Sequence, residues 1–433
     1  MDTEGAEIHF RRLAERALRE VAAEPDVLAR VASVERALTV TGAIDAHRAE
    51  AIKADLRIAV KAREPRRPSA PPGLGAVLRF PSRRQQFTAT SSGVALPGSA
   101  ELRRASPAAS SPRAADRVFP VAAALPLGSG NLRGTLHLLA YLQDGAGARI
   151  WSAGRVAVRD QIGRAGRRGH AIARLDTLRA TDDEGGAYLL HVGRMGSSND
   201  VWLGEFYLDP DPPAGIRWLE IGDPAVRVDL TPPDPAPRVT VGPSSLAPGE
   251  HYLHRLASGW LVNGFAEDVG EVLDALRTAG ALPGDSPVPG QLAALARALD
   301  GGPAEPGLPE QWRIATAATA PHDGYAGLGT RLPDLDGATI TLLGIRASED
   351  GDSALNLYAT GVSADEPLPW LLWVRDACGW HAVSQWPRGG GADEAWVECQ
   401  VVPPPTPGDW LEVLACGRSA DVRVTVPVRW SGE

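Results

Sequence analysis

The chain has 433 residues, of which 44% are hydrophobic, and it carries 44 Lys and Arg against 53 Asp and Glu, for a formal net charge of −9. This length is too great for one hydrophobic core, so about two to four folded domains are expected. The acidic balance disfavours bulk binding of nucleic acid, and no apolar run reaches the roughly 18 residues that a membrane-spanning helix requires.

The N-terminus and the cysteines indicate a cytoplasmic location. The segment MDTEGAEIHF has acidic residues where a signal peptide has basic residues followed by an apolar stretch. The three cysteines, Cys378, Cys399 and Cys416, are too few and odd in number for a disulfide framework, which fits a reducing compartment. We therefore predict a cytoplasmic protein that has no membrane partner.

The sequence lacks the motifs of several common catalytic sites. Neither of its two lysines, Lys53 and Lys61, follows a glycine, so there is no phosphate-binding loop of the G-x-x-x-x-G-K-[ST] type. The patterns G-x-S-x-G and H-E-x-x-H are also missing. A catalytic site assembled from distant residues would escape such a search. Enzymatic activity is therefore left open, but a non-enzymatic protein without cofactor or metal is predicted.

The first 117 residues divide into a helical segment and a basic arm. Residues 1–64 are predicted to be helical, because apolar residues recur at helical spacing from Phe10 onwards. Residues 65–117 are rich in Arg, Pro and Ser and contain nine arginines against Glu101 and Asp116. This composition is typical of a disordered linker.

The next region has the pattern of β-structure. Residues 118–233 contain seven short apolar runs, separated by turn residues: GTLHLLAYL, IWSAGRVAV, AIARLDTLRA, GAYLLHV, DVWLGEFYL, RWLEI and AVRVDLT. A proline-rich linker over 234–249 and a second helical segment over 250–304 follow.

After a Gly/Pro linker over 305–329, the β pattern returns. Residues 330–433 contain seven more runs: ATITLLGI, ALNLYAT, PWLLWVR, GWHAVSQW, DEAWVECQVV, WLEVLAC and DVRVTVPVRW. The last is the clearest strand, because Val422 and Val424 share one face while Arg423 lies on the other.

The two β regions repeat each other's sequence in order. Trp218-Leu-Glu-Ile matches Trp410-Leu-Glu-Val, Trp202 matches Trp396, and Val226-Arg-Val matches Val422-Arg-Val. The turn from Asp183 to Tyr188 likewise matches the turn from Asp376 to His381. The helical segments share a shorter match, Leu38–Ile44 over Leu276–Leu282.

We therefore predict a tandem duplication. The fold class is mainly β with helical segments: two immunoglobulin-like or fibronectin-like antiparallel β-sandwiches, each preceded by a small α-helical segment. Residues that both copies keep, including Trp396 and Trp410, are expected to be structural. Residues found in one copy alone are expected either to pack within that copy or to form the functional surface.

The second copy contains additional tryptophans that could form a binding surface. Trp373 shares a strand face with Arg375, and Trp380 shares a face with Trp386. Exposed aromatic patches mark interfaces for a glycan, a peptide or a protein. The alternative is that these side chains pack against the preceding helices.

The first copy contains a basic loop that the second copy lacks, GRAGRRGH, with Arg164, Arg167 and Arg168. Together with the 65–117 arm, it could contact phosphates or an acidic protein. A solvated loop is the alternative. Cys378-Gly-Trp-His381 has a pair of metal-ligand types, but Cys399 and Cys416 lie in separate strands, so zinc is disfavoured.

These patterns predict a non-enzymatic, modular interaction or scaffold protein that binds an unidentified protein partner. One alternative is a regulatory or nucleoid-associated protein that contacts nucleic acid through the 65–117 arm. A second alternative is a glycan-binding module that uses Trp373, Trp380 and Trp386.

Overall fold

The structure is a computed structural model that describes residues 2–20, 25–63, 117–127, 132–145, 147–158, 178–198, 201–302, 306–314, 324–347, 353–362, 368–390 and 393–432. The described part is mainly β. It consists of two large antiparallel sheets and a layer of helices.

The N-terminal sheet contains eight described strands in the order β1-β2-β3-β6-β5-β4-β7-β8. All neighbouring strands are antiparallel. The strands are β1 Arg117–Leu127, β2 Leu132–Asp144, β3 Gly147–Val158, β4 Leu178–Asp182, β5 Ala187–Ser198, β6 Val201–Asp209, β7 Trp218–Ile221 and β8 Val226–Asp229.

The C-terminal sheet contains ten described strands in the order β18-β10-β11-β12-β15-β14-β13-β16-β17-β9. They are β9 Arg238–Pro243, β10 Gly324–Arg331, β11 Thr339–Ala347, β12 Ala354–Thr360, β13 Leu371–Arg375, β14 Trp380–Gly390, β15 Glu394–Val402, β16 Trp410–Cys416, β17 Ala420–Pro427 and β18 Trp430–Gly432. Strands β10 to β17 repeat the order of β1 to β8, and β9 and β18 extend the two edges.

The two sheets also carry irregularities between the same strand pairs. The register shifts at Pro120/Ala123 between β1 and β2, and at Gly327/Thr330 between β10 and β11. The corresponding shifts between β2 and β3 and between β11 and β12 flank Leu139 and Leu343. A third pair of shifts lies between β5 and β6 and between β14 and β15. Because a bulge redirects a strand locally, the two sheets bend at matching points.

Each sheet curls around its own apolar core. Leu125 of β1 and Val228 of β8 belong to one cluster, so the two edge strands of the N-terminal sheet approach each other. In the C-terminal sheet, Leu328 of β10 and Val424 of β17 share a second cluster. The mainly β, antiparallel character is confirmed. Hydrogen bonds join the strands of each half into one curled sheet, whereas an immunoglobulin-like sandwich has two separate sheets.

The two curled sheets pack directly on each other. Leu139 and Trp151 of the N-terminal sheet share a buried cluster with Leu343, Tyr358 and Trp396 of the C-terminal sheet. Tyr325 of the same cluster stacks on His137, with ring centroids 3.6 Å apart. The two halves therefore share a buried interface.

Six described helices form one layer. Three precede the first sheet, α1 Thr3–Glu20, α2 Pro25–Val40 and α3 Ala46–Arg63; three precede the second, α4 Pro248–Asn263, α5 Gly270–Thr278 and α6 Val288–Leu299. Apolar residues of both sets, together with Trp373 and Trp380, belong to a single core. None of the described helices is long and apolar enough to cross a membrane.

Each of the two helix sets contains a helix that ends with the same hydrogen-bond pattern. In α2, the backbone N–H groups of Ala43 and Ile44 donate to Leu38 O, and in α5 those of Ala281 and Leu282 donate to Leu276 O. Gly42 and Gly280 follow these helices with φ of 72° and 61°. Glycine reaches this left-handed conformation without strain, which explains why both helices are followed by glycine.

The structure adds strands where sequence patterns indicated linkers. β9 lies within the predicted 234–249 linker, and β10 begins inside the predicted 305–329 linker. Each of the fourteen predicted apolar runs overlaps a described strand. Like β9, the strands β1 and β10 were not recognised. Their sequences, RVFPVAAALPL and GYAGLGTR, are rich in residues that are uncommon in strands.

Candidate functional site

The tryptophans predicted as a binding platform are buried. Trp373 is 1% exposed and Trp380 is 2% exposed, and both pack in the core shared with the helices. Arg375 lies over the Trp380 ring at 5.5 Å. Trp386 lies on β14 opposite Glu398, with its side chain outside the described part. The predicted glycan platform is therefore wrong for Trp373 and Trp380, because helices cover them.

Arg164, Arg167 and Arg168 fall outside the described residues, as does the 65–117 arm apart from Arg117. The two tryptophans that were expected in the core differ in exposure. Trp396 is 9% exposed in the interface between the sheets, whereas Trp410 is 36% exposed. Trp410 is the first residue of β16 and lies at the surface, so the expectation that it belongs to the core is wrong.

Polar side chains of α4 fix the helical layer to the C-terminal sheet. His251 Nε2 lies 2.9 Å from Cys416 O, and Ser258 Oγ donates to Val383 O at 2.9 Å. The buried guanidinium of Arg255 donates to Trp370 O, and burial lowers its pKa to about 10. These contacts use backbone groups of the sheet, so the position of α4 is defined by hydrogen bonds as well as by apolar packing.

A cleft of about 350 Å³ opens where α4, β9 and the strand pair β16–β17 meet. We call it the β9 cleft. Trp373 and Leu414 provide apolar lining, and its polar lining comes from Thr240, Ser245, His254, Gln311, Asp421 and Arg423. The volume lies at the lower end of the range of small-ligand sites.

His254 presents a fixed donor to this cleft. The indole N–H of Trp312 donates to His254 Nδ1 at 3.1 Å, so the neutral ring carries its proton on Nε2. Burial lowers the pKa of His254 to about 4. The ring is therefore neutral near pH 7 and supplies a hydrogen-bond donor without a charge.

The acidic and thiol groups of the cleft are stabilised in their neutral forms. Burial raises the pKa of Asp421, although Ser245 donates to its Oδ2 at 3.2 Å. Burial also raises the pKa of the Cys416 thiol. A thiol with a raised pKa is a poor nucleophile, so this cleft fits binding better than covalent catalysis. Among the described residues, no group of three or more His, Cys, Asp and Glu gathers as a metal site.

The outer edge of β9 is the second feature of this region. β9 pairs with β17 on one side, and on the other side no described strand pairs with it. Val239 and Val241 are 44% and 56% exposed. They lie opposite Val424 and Val422 of the core, so they extend the apolar face of the curled sheet into solvent.

The direction of the β9 backbone groups follows from its register. Ser244 N donates to Ser419 O, and the pairing continues without a shift to Arg238 opposite Thr425. In an antiparallel pair, residues alternate between bonding the partner strand and facing away. The N–H and C=O groups of Val239 and Val241 therefore point out from the sheet edge.

A buried carboxylate stabilises the β13–β14 turn. Asp376 Oδ1 accepts the N–H groups of Cys378 and Gly379, and Oδ2 accepts the N–H of Thr406 at 2.7 Å. His381 Nε2 lies 3.1 Å from Oδ2. In the N-terminal sheet, Asp182 has the same place before the returning strand, one residue earlier than the sequence match indicated.

Stabilisation by Asp376 is expected to disappear in acid. Burial raises its pKa, but the hydrogen bonds from His381 and the backbone outweigh burial and lower it to about 2, from an ordinary 3.8. A group with a lowered folded-state pKa contributes stability above its unfolded-state pKa, and this contribution is lost as the pH falls towards the folded value. In urea unfolding, Asp376→Asn should lower the free energy of unfolding by about 2 kcal/mol at pH 7, with a difference that shrinks below about pH 4.

The control for this prediction is the exposed Asp409, for which Asp409→Asn should change the free energy of unfolding by less than about 0.5 kcal/mol. A difference between Asp376→Asn and wild type that stayed constant down to about pH 2.5 would contradict a role for the carboxylate charge.

No known protein-family model matches the chain, and a comparison with curated proteins gives no significant match. The features of the site therefore stand on geometry. Sequence reasoning missed His254, Asp421 and the β9 valines. For β9, the alternation in RVTVGP was a usable signal, but the flanking prolines favoured a linker.

Proposed function

We propose that this chain is a non-enzymatic interaction protein that binds an extended protein segment as an additional strand on the free edge of β9. The observation that carries the proposal is the outward direction of the Val239 and Val241 backbone groups, next to exposed valine side chains. An unpaired strand edge is a template for another strand unless it is blocked.

The two faces of β9 define the chemistry of that segment. On one face, a bound strand would place apolar side chains beside Val239 and Val241. On the other face, Thr240 and Gly242 line the β9 cleft, which offers the donor of His254 and the polar groups around Asp421. A segment that alternates apolar and polar residues therefore fits this edge.

We infer in addition that the chain arose by tandem duplication, and that β9 belongs to what the second copy gained. The common strand order, the three matching bulge positions and the shared helix end support the duplication. Among the described strands, the N-terminal sheet ends at β8, whereas the corresponding strand β17 is followed across the sheet by β9. Among the described residues, the candidate surface is thus present in the C-terminal half and absent from the N-terminal half.

Val241→Pro is expected to abolish strand addition without unfolding the sheet. Proline removes the outward N–H of residue 241, while the N–H groups that bond β17 remain. The probe is a fluorescein-labelled synthetic peptide in which valine and threonine alternate, titrated in fluorescence anisotropy. We expect at least a roughly tenfold loss of affinity and less than about 1 kcal/mol change in the free energy of unfolding.

Two controls accompany the experiment. Thr240→Pro removes an N–H that bonds β17, so it should lower stability by about 1–3 kcal/mol, unlike the neighbouring substitution. A peptide of the same composition in scrambled order should bind more weakly. Equal binding of the alternating peptide to wild type and to Val241→Pro would refute strand addition at β9.

A further inference from the structure

We infer that the segment bound by β9 is the β9 strand of a second copy of this chain, paired antiparallel across a two-fold axis. The inference rests on the proposed function and names the partner of the same edge. The outward-facing positions of β9 and its flank are Pro237, Val239, Val241 and Pro243, a pattern that reads the same in both directions.

This palindrome fixes one register. With Thr240 of both copies on the two-fold axis, Val239 of each copy lies opposite Val241 of the other. Each valine pair then exchanges two backbone hydrogen bonds, as facing residues of an antiparallel ladder do. Pro237 lies opposite Pro243, and because neither has an N–H, the ladder ends there on both sides. A shift by two residues in either direction would set a proline opposite a valine and lose hydrogen bonds.

The remaining side chains also fit this register. Arg238 of one copy lies opposite Gly242 of the other, so the two like charges do not face each other. Arg238 is exposed and forms no ion pair with a described residue. Valine opposite valine is a favourable cross-strand pair, and it covers side chains that are about half exposed in the single chain.

The dimer formed by this edge alone is expected to be weak. A six-residue edge lies at the small end of protein interfaces, well below the roughly 1,200 Å² of a standard stable complex. Association should therefore depend on concentration over the micromolar to millimolar range. Sedimentation equilibrium of the full chain is the appropriate measurement.

Gly242 offers a matched pair of substitutions. A Cβ at this position would meet nothing within 4 Å, and its φ is not in the left-handed region, so the backbone accepts either Glu or Arg. Asp421 lies opposite residue 242 on β17, so Gly242→Glu should be slightly less stable as a monomer than Gly242→Arg, and the dimer Kd is compared only between variants that are folded. In the two-fold register, Gly242→Glu creates two ion pairs with Arg238 and should lower the dimer Kd roughly two- to thirty-fold. Gly242→Arg creates two like-charge pairs and should raise it by a similar factor.

The charge swap Arg238→Glu with Gly242→Arg should restore the dimer, because both cross-strand pairs are again opposite in charge. Val241→Pro should give a monomer at every concentration. Thermal unfolding of each variant in dilute solution shows whether the fold is intact.

The outcomes separate this inference from the proposed function. If the alternating peptide binds through β9 but wild type remains a monomer at about 1 mM, the second-copy partner is wrong and strand addition stands. If Val241→Pro and both Gly242 substitutions leave the dimer Kd unchanged, the dimer forms through another surface, and the inference is overturned. If peptide and second copy both fail to bind, both proposals fall.

Discussion

Replacing Gly327 by alanine is expected to separate or unfold the two packed sheets. A Cβ on Gly327 would lie 2.0 Å from Val121 O and 2.4 Å from Leu139 O, which are backbone atoms of β1 and β2. Backbone in a packed sheet does not move aside as a flexible side chain does, so this substitution lies at the upper end of overpacking effects. We expect the free energy of unfolding to fall by about 3 kcal/mol, measured in urea.

Gly259→Ala is the matched control for Gly327→Ala. Gly259 lies within α4, and a Cβ there would meet nothing within 4 Å. Because alanine is a better helix former than glycine, this change should raise the free energy of unfolding by about 1 kcal/mol. The same substitution, glycine to alanine, is thus expected to change the free energy of unfolding in opposite directions at the two positions. An equal, small effect of both would show that β10 does not lie against β1 and β2.

Trp373→Ala is expected to detach the helical layer from the C-terminal sheet. Trp373 is 1% exposed and joins the sheet to the core of the helices. Truncating a buried tryptophan removes its apolar burial and leaves a cavity, which together lower stability by about 3–5 kcal/mol. In hydrogen exchange, the amides of α4 should lose protection more than those of β15, because α4 packs on the side of the sheet that contains Trp373.

Trp410→Ala provides the comparison for Trp373→Ala. Trp410 is 36% exposed, so its truncation should lower the free energy of unfolding by less than about 1 kcal/mol. If both substitutions had effects of the same size, Trp373 would not be the junction between the two layers. Uniform loss of protection in α4 and β15 would instead indicate global unfolding, with no separate detachment of the helices.

Much of the strand content could be predicted from the sequence because period-two alternation is local. β17 shows this well: Val422, Val424 and Val426 are buried, while Arg423 is exposed. β10 escaped because it contains three glycines, which are rare in strands. One of them, Gly327, is explained only by the backbone of another sheet, and such an approach leaves no local pattern.

The predicted surface failed for a related reason. Sequence alternation places Trp373 and Trp380 on strand faces, but it does not say what covers a face. Their cover comes from helices that are over 60 residues distant along the chain, such as α4. The free edge of β9 could not be predicted from the sequence either, because the prolines that flank this strand are also typical of linkers. Pairing of β9 with β17 depends on a contact between distant segments.

The contact between the first and second helix sets has a consequence for synthesis of the chain. Arg16 of α1 pairs with Glu271 of α5 at 3.0 Å, across 255 residues of sequence. At about 5–20 residues per second, roughly 10–50 s pass between the appearance of these two residues on the ribosome. During that interval α1 and α2 carry an apolar face whose final cover has not been made. We therefore expect nascent chains to expose this apolar face, and to be able to bind chaperones through it, until α5 emerges.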